Sequence, residues 1–177
     1  MYIKQDKLVI RDALDADSNL LAQWWNNGRV MEHAGFPNGL GITVEQVSVQ
    51  LQSNEKERRL IMEENGIPIG EMCYRNKGGN IAEIGIKICD FSRQNRGLGK
   101  IFLSMLLKEL FTMGYVKIVL DTDIKNKRAQ HVYEQLGFKR IRVNHNVWID
   151  QLGVKRSSVD YELKQDNFIS YLSNQRK

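Results

Sequence analysis

The chain has 177 residues, 42% of them hydrophobic and 27% charged, which is the balance of a single globular domain over residues 1–177 with a substantial core. Its 26 Lys and Arg against 21 Asp and Glu leave a net charge of +5, which favours anionic ligands, yet the basic residues are scattered singles and pairs, so nucleic acid is not expected as a partner. No apolar run reaches the roughly 20 residues of a membrane span and no secretory leader is seen. Cys73 and Cys89 stand apart in strand-like surroundings, so a cytoplasmic protein with reduced thiols, no membrane partner and no zinc site is expected.

Lys7–Leu14 alternates as a first strand. Asp15, Asp17 and Ser18 are candidate N-caps of a helix with Leu20, Leu21, Trp24 and Trp25 at helical spacing, which Asn26–Gly28 ends or bends before a short segment, Arg29–Phe36. Thr43 with Gln46 forms a capping box for a helix over Thr43–Asn54. Arg58–Asn65 and Ile67–Arg75 read as strands around Asn65-Gly66, a strong hairpin signal, and Lys77–Asn80 turns the chain into Ile81–Asp90. Lys100–Met113 is too long and apolar for a strand and reads as a buried helix ended by Gly114. A strand over Tyr115–Thr122, a helix over Asn126–Leu136 ended by Gly137, and two strands, Phe138–Ile149 and Ser157–Lys164, follow. Asn167–Lys177 is expected to form a short terminal helix. The order implies an α/β (α+β) fold: a mixed, mostly antiparallel sheet flanked by helices, with a parallel crossover between the fourth strand, Ile81–Asp90, and the fifth, Tyr115–Thr122. Parallel neighbours that diverge leave a cleft suited to a ligand.

Between that fourth strand and the buried helix lies Arg93-Gln94-Asn95-Arg96-Gly97-Leu98-Gly99-Lys100. A P-loop would need a hydroxyl residue where Ile101 stands, and a dinucleotide fingerprint a third glycine where Phe102 stands. The pattern Gln/Arg-x-x-Gly-x-Gly/Ala does fit, with glycines that let a backbone approach a pyrophosphate at the start of a helix. On these residues alone, a polar strand–helix turn with glycines for geometry is an equal reading.

Downstream, "NKRAQHVYEQLGF" supplies Asn126, Ala129, Tyr133, Gly137 and Phe138 in register with that loop. Over residues 81–139 the chain therefore resembles the GCN5-related N-acetyltransferase (GNAT) superfamily, with Phe91 where many members carry proline. Leu8–Pro37 resembles the branch that holds ribosomal-protein N-terminal acetyltransferases and some aminoglycoside 6′-N-acetyltransferases. The resemblance implies acetyl-CoA as co-substrate, no metal, and direct acetyl transfer to a primary amine: a protein N-terminus, an aminoglycoside, a polyamine or another small molecule. It implies a cofactor site at Gln94, Asn95, Arg96, Gly97, Leu98, Gly99 and Lys100, with the pantetheine along a bulged strand edge at Lys87, Ile88 and Cys89 and against Asn126. Lys125, Lys127 and Arg128 read first as a solvated helix start, with attraction of the cofactor's ribose phosphate as the alternative. Glu83 is the first candidate base, with a solvent-facing strand carboxylate as the alternative, and Asp121 is the second. Tyr133 is the candidate acid at the leaving thiolate, with a ring packed under the sheet as the alternative. Trp24–Phe36 is expected to wall the acceptor side, with Glu32, Glu63, Glu64 and Glu71 as acids for a polycationic acceptor. His33, His131 and His145 are scattered, and His131 reads as surface. A catalytically silent domain that senses acyl-CoA is the alternative function, and monomer and homodimer are both open.

Overall fold

The computed structural model describes residues 1–52 and 57–172. Eight strands, β1 (Tyr2–Gln5), β2 (Leu8–Asp12), β3 (Glu57–Glu64), β4 (Ile67–Asn76), β5 (Ile81–Ile88), β6 (Lys117–Asp123), β7 (Lys139–Ile149) and β8 (Lys155–Lys164), form one sheet in the order β1-β2-β3-β4-β5-β6-β8-β7. Among the described residues five helices flank it: α1 (Ser18–Trp25), α2 (Gly28–Met31), α3 (Val44–Gln52), α4 (Leu98–Thr112) and α5 (Lys127–Gln135). All strand pairs are antiparallel except β5–β6.

The expected first strand is present as β2 (Leu8–Asp12), but a further strand, β1, precedes it and pairs with it as a hairpin. Asp6, at φ 50°, turns β1 into β2, so the parallel pair expected as the fourth and fifth strands is the fifth and sixth, β5 and β6. A four-residue edge strand of mixed polarity closed by a turn without glycine carries little signal in sequence. The terminal segment differs too: Gln165–Asn167 is a single 3-10 turn and residues 168–172 are not helical, with Phe168 packed on Phe111 at 5.8 Å between ring centroids. The rest of that expected helix, 173–177, lies outside the described residues, as do Ser53 and Asn54 at the end of the helix expected from Thr43.

Local chemistry sets the other boundaries. Thr43 N–H donates to Gln46 Oε1 at 2.9 Å and Gln46 N–H to Thr43 Oγ1 at 3.2 Å, the reciprocal capping box that starts α3. Asn65 and Gly66, at φ 55° and 75°, form the two-residue turn between β3 and β4.

Alternation along the strands then sorts side chains onto two faces. Leu60, Met62, Met72, Ile84, Ile118 and Leu120 join the core beneath α4, whose Phe102, Leu103, Leu106 and Leu110 are buried. Ile61, one residue from Leu60 and Met62, packs on the other face with Leu21, Ala22, Trp25 and Val47 of α1 and α3. That second face also carries polar cross-strand partners, Glu57 opposite Arg75, Glu71 opposite Lys87 and Arg75 opposite Glu83.

Unequal pairing around β6 opens the sheet. β5 and β6 pair only at Ile81–Lys117, Ala82–Ile118 and Glu83–Val119, while β6 stays paired to β8 as far as Asp123–Ser158. Beyond Glu83 the two parallel strands separate, and one edge of β5 is left open.

Gly137 ends α5 at φ 94°, and a Cβ there would stand 1.9 Å from the Asn167 carbonyl oxygen. Gly137→Ala should therefore destabilise the fold by about 2 kcal/mol or more, through both positive φ and backbone displacement. Urea unfolding of the variant against wild type measures it.

Candidate active site

The gap between β5 and β6 opens into a cleft of about 1010 Å³. Its lining comes from both faces of the sheet: Leu98, Lys100 and Leu103 from the α4 side, Arg59, Arg75 and Glu83 from the other.

The glycine loop forms one end. Asp90 Oδ1 accepts from Ser92 N–H at 2.9 Å and caps the 3-10 turn Phe91–Arg93. Gln94 is a strut: its Nε2 donates to the Ile88 carbonyl at 2.9 Å, and its Oε1 accepts from Arg128 Nη1 at 2.7 Å. Asn95 and Gly97 have positive φ, 58° and 76°, and α4 begins at Leu98 without a side-chain cap. The Leu98 and Gly99 N–H groups thus have no intrahelical acceptor. Gly97 is required by its φ, but Gly99 is not in that region, and a Cβ on it would meet only Ile88 Cδ1 at 3.8 Å. Neither backbone nor protein packing demands that second glycine. The space a Cβ would fill lies at a helix N-terminus, where free N–H groups and the helix dipole favour an anion.

Just past β5, on its β4 side, the N–H groups of Cys89 and Asp90 both donate to the Ile69 carbonyl, at 2.9 and 3.0 Å, the two-against-one pattern of a bulge. Lys87 and Ile88 line the cleft, whereas the Cys89 side chain is buried away from it and burial pushes its thiol pKa up. Arg96 does not line the cleft either; its Nη1 lies 3.5 Å from Glu64 Oε2. On the facing side, Asn126 caps α5, its Oδ1 accepting from Ala129 N–H at 3.2 Å. Arg128, though exposed, reaches across to Gln94 and Asn95, contacts 34 and 33 residues apart that no local pattern announces.

The three titratable candidates all line the cleft but differ in state. Glu83 is engaged on both oxygens, 2.6 Å from Arg75 Nη1 and 2.7 Å from Lys77 Nζ. Burial raises its pKa, but the Lys77 hydrogen bond and the Arg75 charge outweigh that and hold it below the usual range. Asp121 has no ion-pair partner among the described residues and faces Asp160 across the β6–β8 ladder. It is open to the cleft, yet the protein around it still desolvates it, and this, with the charges of Asp160 and Glu83, lifts its carboxyl above the ordinary value. Tyr133 is buried, its ring 5.8 Å from those of both Phe138 and Tyr161. Its hydroxyl has no hydrogen-bond partner among the described residues. Burial first, then the Asp121 charge, raises its pKa and keeps it protonated at neutral pH.

The far end is walled by α2 and the turn after it, through Arg29, Val30, Glu32 and His33, and by Trp148 of β7. Asn27 caps α2, accepting from Arg29 N–H at 3.0 Å. Trp148 lies flush on Gly35, where a Cβ would stand 2.2 Å from the indole. Arg29 sits 4.3 Å over the Phe91 ring, joining this wall to the glycine loop. Of the four glutamates expected to make an acidic cleft, only Glu32 lines it. Glu63 is paired with Arg11, Glu64 with Lys7 and Arg93, and Glu71 with Arg59 and Lys87, so burial among cations spends their charge inside the protein. His33 and His131 both reach the cleft. Among the described residues no three His, Cys, Asp or Glu side chains group to hold a metal ion, and no helix is long and apolar enough to cross a membrane.

A family model described as an acetyltransferase (GNAT) domain matches residues 7–139. A ribosomal-protein-alanine N-acetyltransferase of Salmonella typhimurium is 38% identical over 55 residues, 31% of this chain and 37% of that protein. A spermidine N-acetyltransferase from Vibrio cholerae, solved with CoA and spermine, shares the fold at TM-score 0.82 and 20% identity over 92% of this chain and 98% of its own. A ribosomal alpha-N-protein acetyltransferase solved with coenzyme A does so at TM-score 0.83 and 16% identity, covering 94% and 99%. The chain spans about a third of the length of the curated relatives it matches.

Because the folded-state pKa of Asp121 is raised, the native protein holds its proton to higher pH than the unfolded chain does. Stability from this residue is therefore lost as pH rises above the unfolded value of about 4. Asp121→Asn should raise the melting temperature at pH 7, and the gain should vanish near pH 3. Thermal melts across that range check it.

Proposed function

The chain belongs to the GNAT family of acetyltransferases, and from that premise we propose that it is an acetyl-CoA-dependent N-acetyltransferase acting on a primary amine. The observation that carries this reading is Gly99: a glycine needed by neither backbone nor packing, at an uncapped helix start beside an open strand edge. That combination suits a pyrophosphate on the Leu98 and Gly99 N–H groups, with Lys100 and Arg128 adding positive charge. The open edge of β5 at Lys87 and Ile88, with Asn126 opposite, suits the amide groups of a pantetheine arm. Acetyl-CoA supplies a thioester whose acyl carbon an amine can attack.

The amine must first lose a proton, since an ammonium of pKa about 10 has no lone pair. Asp121, uncompensated and with a raised pKa, suits that task better than Glu83, which two cations hold as a weak base. The neutral amine adds to the carbonyl carbon. Collapse of the tetrahedral intermediate breaks the C–S bond; the protonated Tyr133 hydroxyl can donate to the departing thiolate and regain a proton from the adduct nitrogen, which becomes the amide. The products are an amide and free coenzyme A thiol. Tyr133 need not be either core or catalytic, because its ring packs while its hydroxyl stays free.

The acceptor belongs to the wider class of amines, which includes the spermine and ribosomal protein that the neighbours are named for. The alternative, a silent acyl-CoA sensor, is disfavoured by an unpartnered hydroxyl and an unpartnered carboxylate lining the same cleft, since binding alone needs neither.

Calorimetric titration with coenzyme A should show saturable binding, and Gly99→Val should weaken it about tenfold or more without unfolding the chain. In thiol-release assays over a panel of amines, Tyr133→Phe should lower kcat by about 10²-fold with coenzyme A affinity retained, and Asp121→Asn by a similar factor. Glu83→Gln should stay within a few-fold of wild type. Binding without thiol release on any amine would favour the sensor.

A further inference from the structure

We propose, on the reading that the glycine loop holds coenzyme A, that Glu64 is a positioning residue that fixes the anion cradle from behind. Glu64 ends β3 and is 1% exposed, so its charge must be met by partners inside the protein. Two come from the loop itself: Arg93 Nη1 at 2.5 Å and Arg96 Nη1 at 3.5 Å, both on Oε2. The third, Lys7 Nζ, lies 3.0 Å from Oε1 and comes from the turn between β1 and β2. A separate cavity of about 290 Å³, lined by Lys7, Glu64, Arg96 and Leu98, marks this as the side of the loop away from the cleft.

The loop from Phe91 to Gly97 has few backbone restraints of its own. Arg93 N–H reaches the Asp90 carbonyl and Gln94 N–H the Phe91 carbonyl, but Asn95 and Gly97 stand in the left-handed region. On the cleft side the anchor is Gln94, between Ile88 and Arg128. On the far side it is Glu64, which takes the two arginines flanking that stretch. The result has a chemical consequence. Arg96, which the resemblance offers to the cofactor, is drawn toward Glu64, and the front presents backbone N–H groups of fixed direction.

The test is Glu64→Gln, which keeps shape and removes charge, with coenzyme A affinity measured by calorimetry and KM and kcat measured for both substrates. We expect KM for acetyl-CoA and Kd for coenzyme A to rise about tenfold, with kcat and acceptor KM within about twofold. Glu64→Asp should recover part of the loss. Unchanged or tighter coenzyme A binding overturns the proposal, as does a parallel fall in every kinetic constant, which would mark a general structural defect. Should Glu64→Gln fail to fold, Arg93→Gln carries the same test from the loop side, and unaltered affinity there overturns it equally. Wild-type protein that does not bind coenzyme A sinks this proposal and the assigned function together, whereas wild-type binding matched by the variant sinks this one alone.

Discussion

The parting of β5 from β6 after the Glu83–Val119 pair is the constraint on which the remainder of the structure depends. Buried backbone groups demand hydrogen bonds, so a strand edge left open inside a protein is expensive unless a ligand or water completes it. Here it stays open because β6 is held on its other side by β8 along its whole length. The chain leaves β5 through the glycine loop into α4 and leaves β6 through Asn126 into α5. Two helix N-termini therefore arrive at one opening, each bringing the positive end of a dipole, and uncapped α4 adds free N–H groups. One topological event supplies the slot and the charge preference together.

The face of the sheet below α1 and α3 is stabilised differently. Lys87, Glu71, Arg59, Glu57, Arg75, Glu83 and Lys77 form an alternating chain of ion pairs across three strands. Glu71, 1% exposed, also accepts from Trp25 Nε1 at 2.8 Å and so ties α1 to the sheet. Burial raises its pKa, but Arg59 and Lys87 outweigh this and keep it charged. Removing one partner from such a group leaves a buried charge uncompensated, a loss of about 3–5 kcal/mol. These paired charges make a floor, and what they consume cannot serve a substrate. The charges lining the cleft without an ion-pair partner among the described residues are Glu32 and Asp121 on one hand and Arg29, Lys100 and Arg128 on the other.

Sequence disclosed those features whose cause is local. The capping box at Thr43 and Gln46, the Asn65-Gly66 turn and the ends of α4 and α5 at Gly114 and Gly137 each follow from a few adjacent residues. Strand alternation likewise puts Glu83, Gly85 and Lys87 on one face, and all three line the cleft. What escaped depends on partners far along the chain. Glu83 reads as a free carboxylate until Arg75 and Lys77 fold back across the hairpin, and no local pattern tells that Glu64 lies 3.5 Å from Arg96. Arg128 is solvated as it reads, but its hydrogen bond to Gln94 depends on the gap that brings the two opposite. Whether a charge is free is a tertiary property, set by contacts that no spacing rule contains.

This division also explains why the donor side of the site is more legible than the acceptor side. The donor side rests on backbone N–H groups, glycines and helix starts, whose geometry leaves a short, recurrent mark in sequence. The acceptor side rests on α2, a helix of four residues, too short to be stable on its own. It is held by contacts from elsewhere: Arg29 on Phe91, Gly35 on Trp148, and Gln151, whose N–H donates to the Gly35 carbonyl and whose Nε2 donates to the Gly39 carbonyl, both at 2.9 Å. A wall assembled from such distant side chains can be reshaped by single substitutions without disturbing the sheet or the cradle. Segments of low intrinsic stability are where binding surfaces vary. The architecture thus builds the cradle at the glycine loop from backbone and leaves the opposite wall of the cleft to side chains on an element that the neighbouring turn and hairpin hold in place.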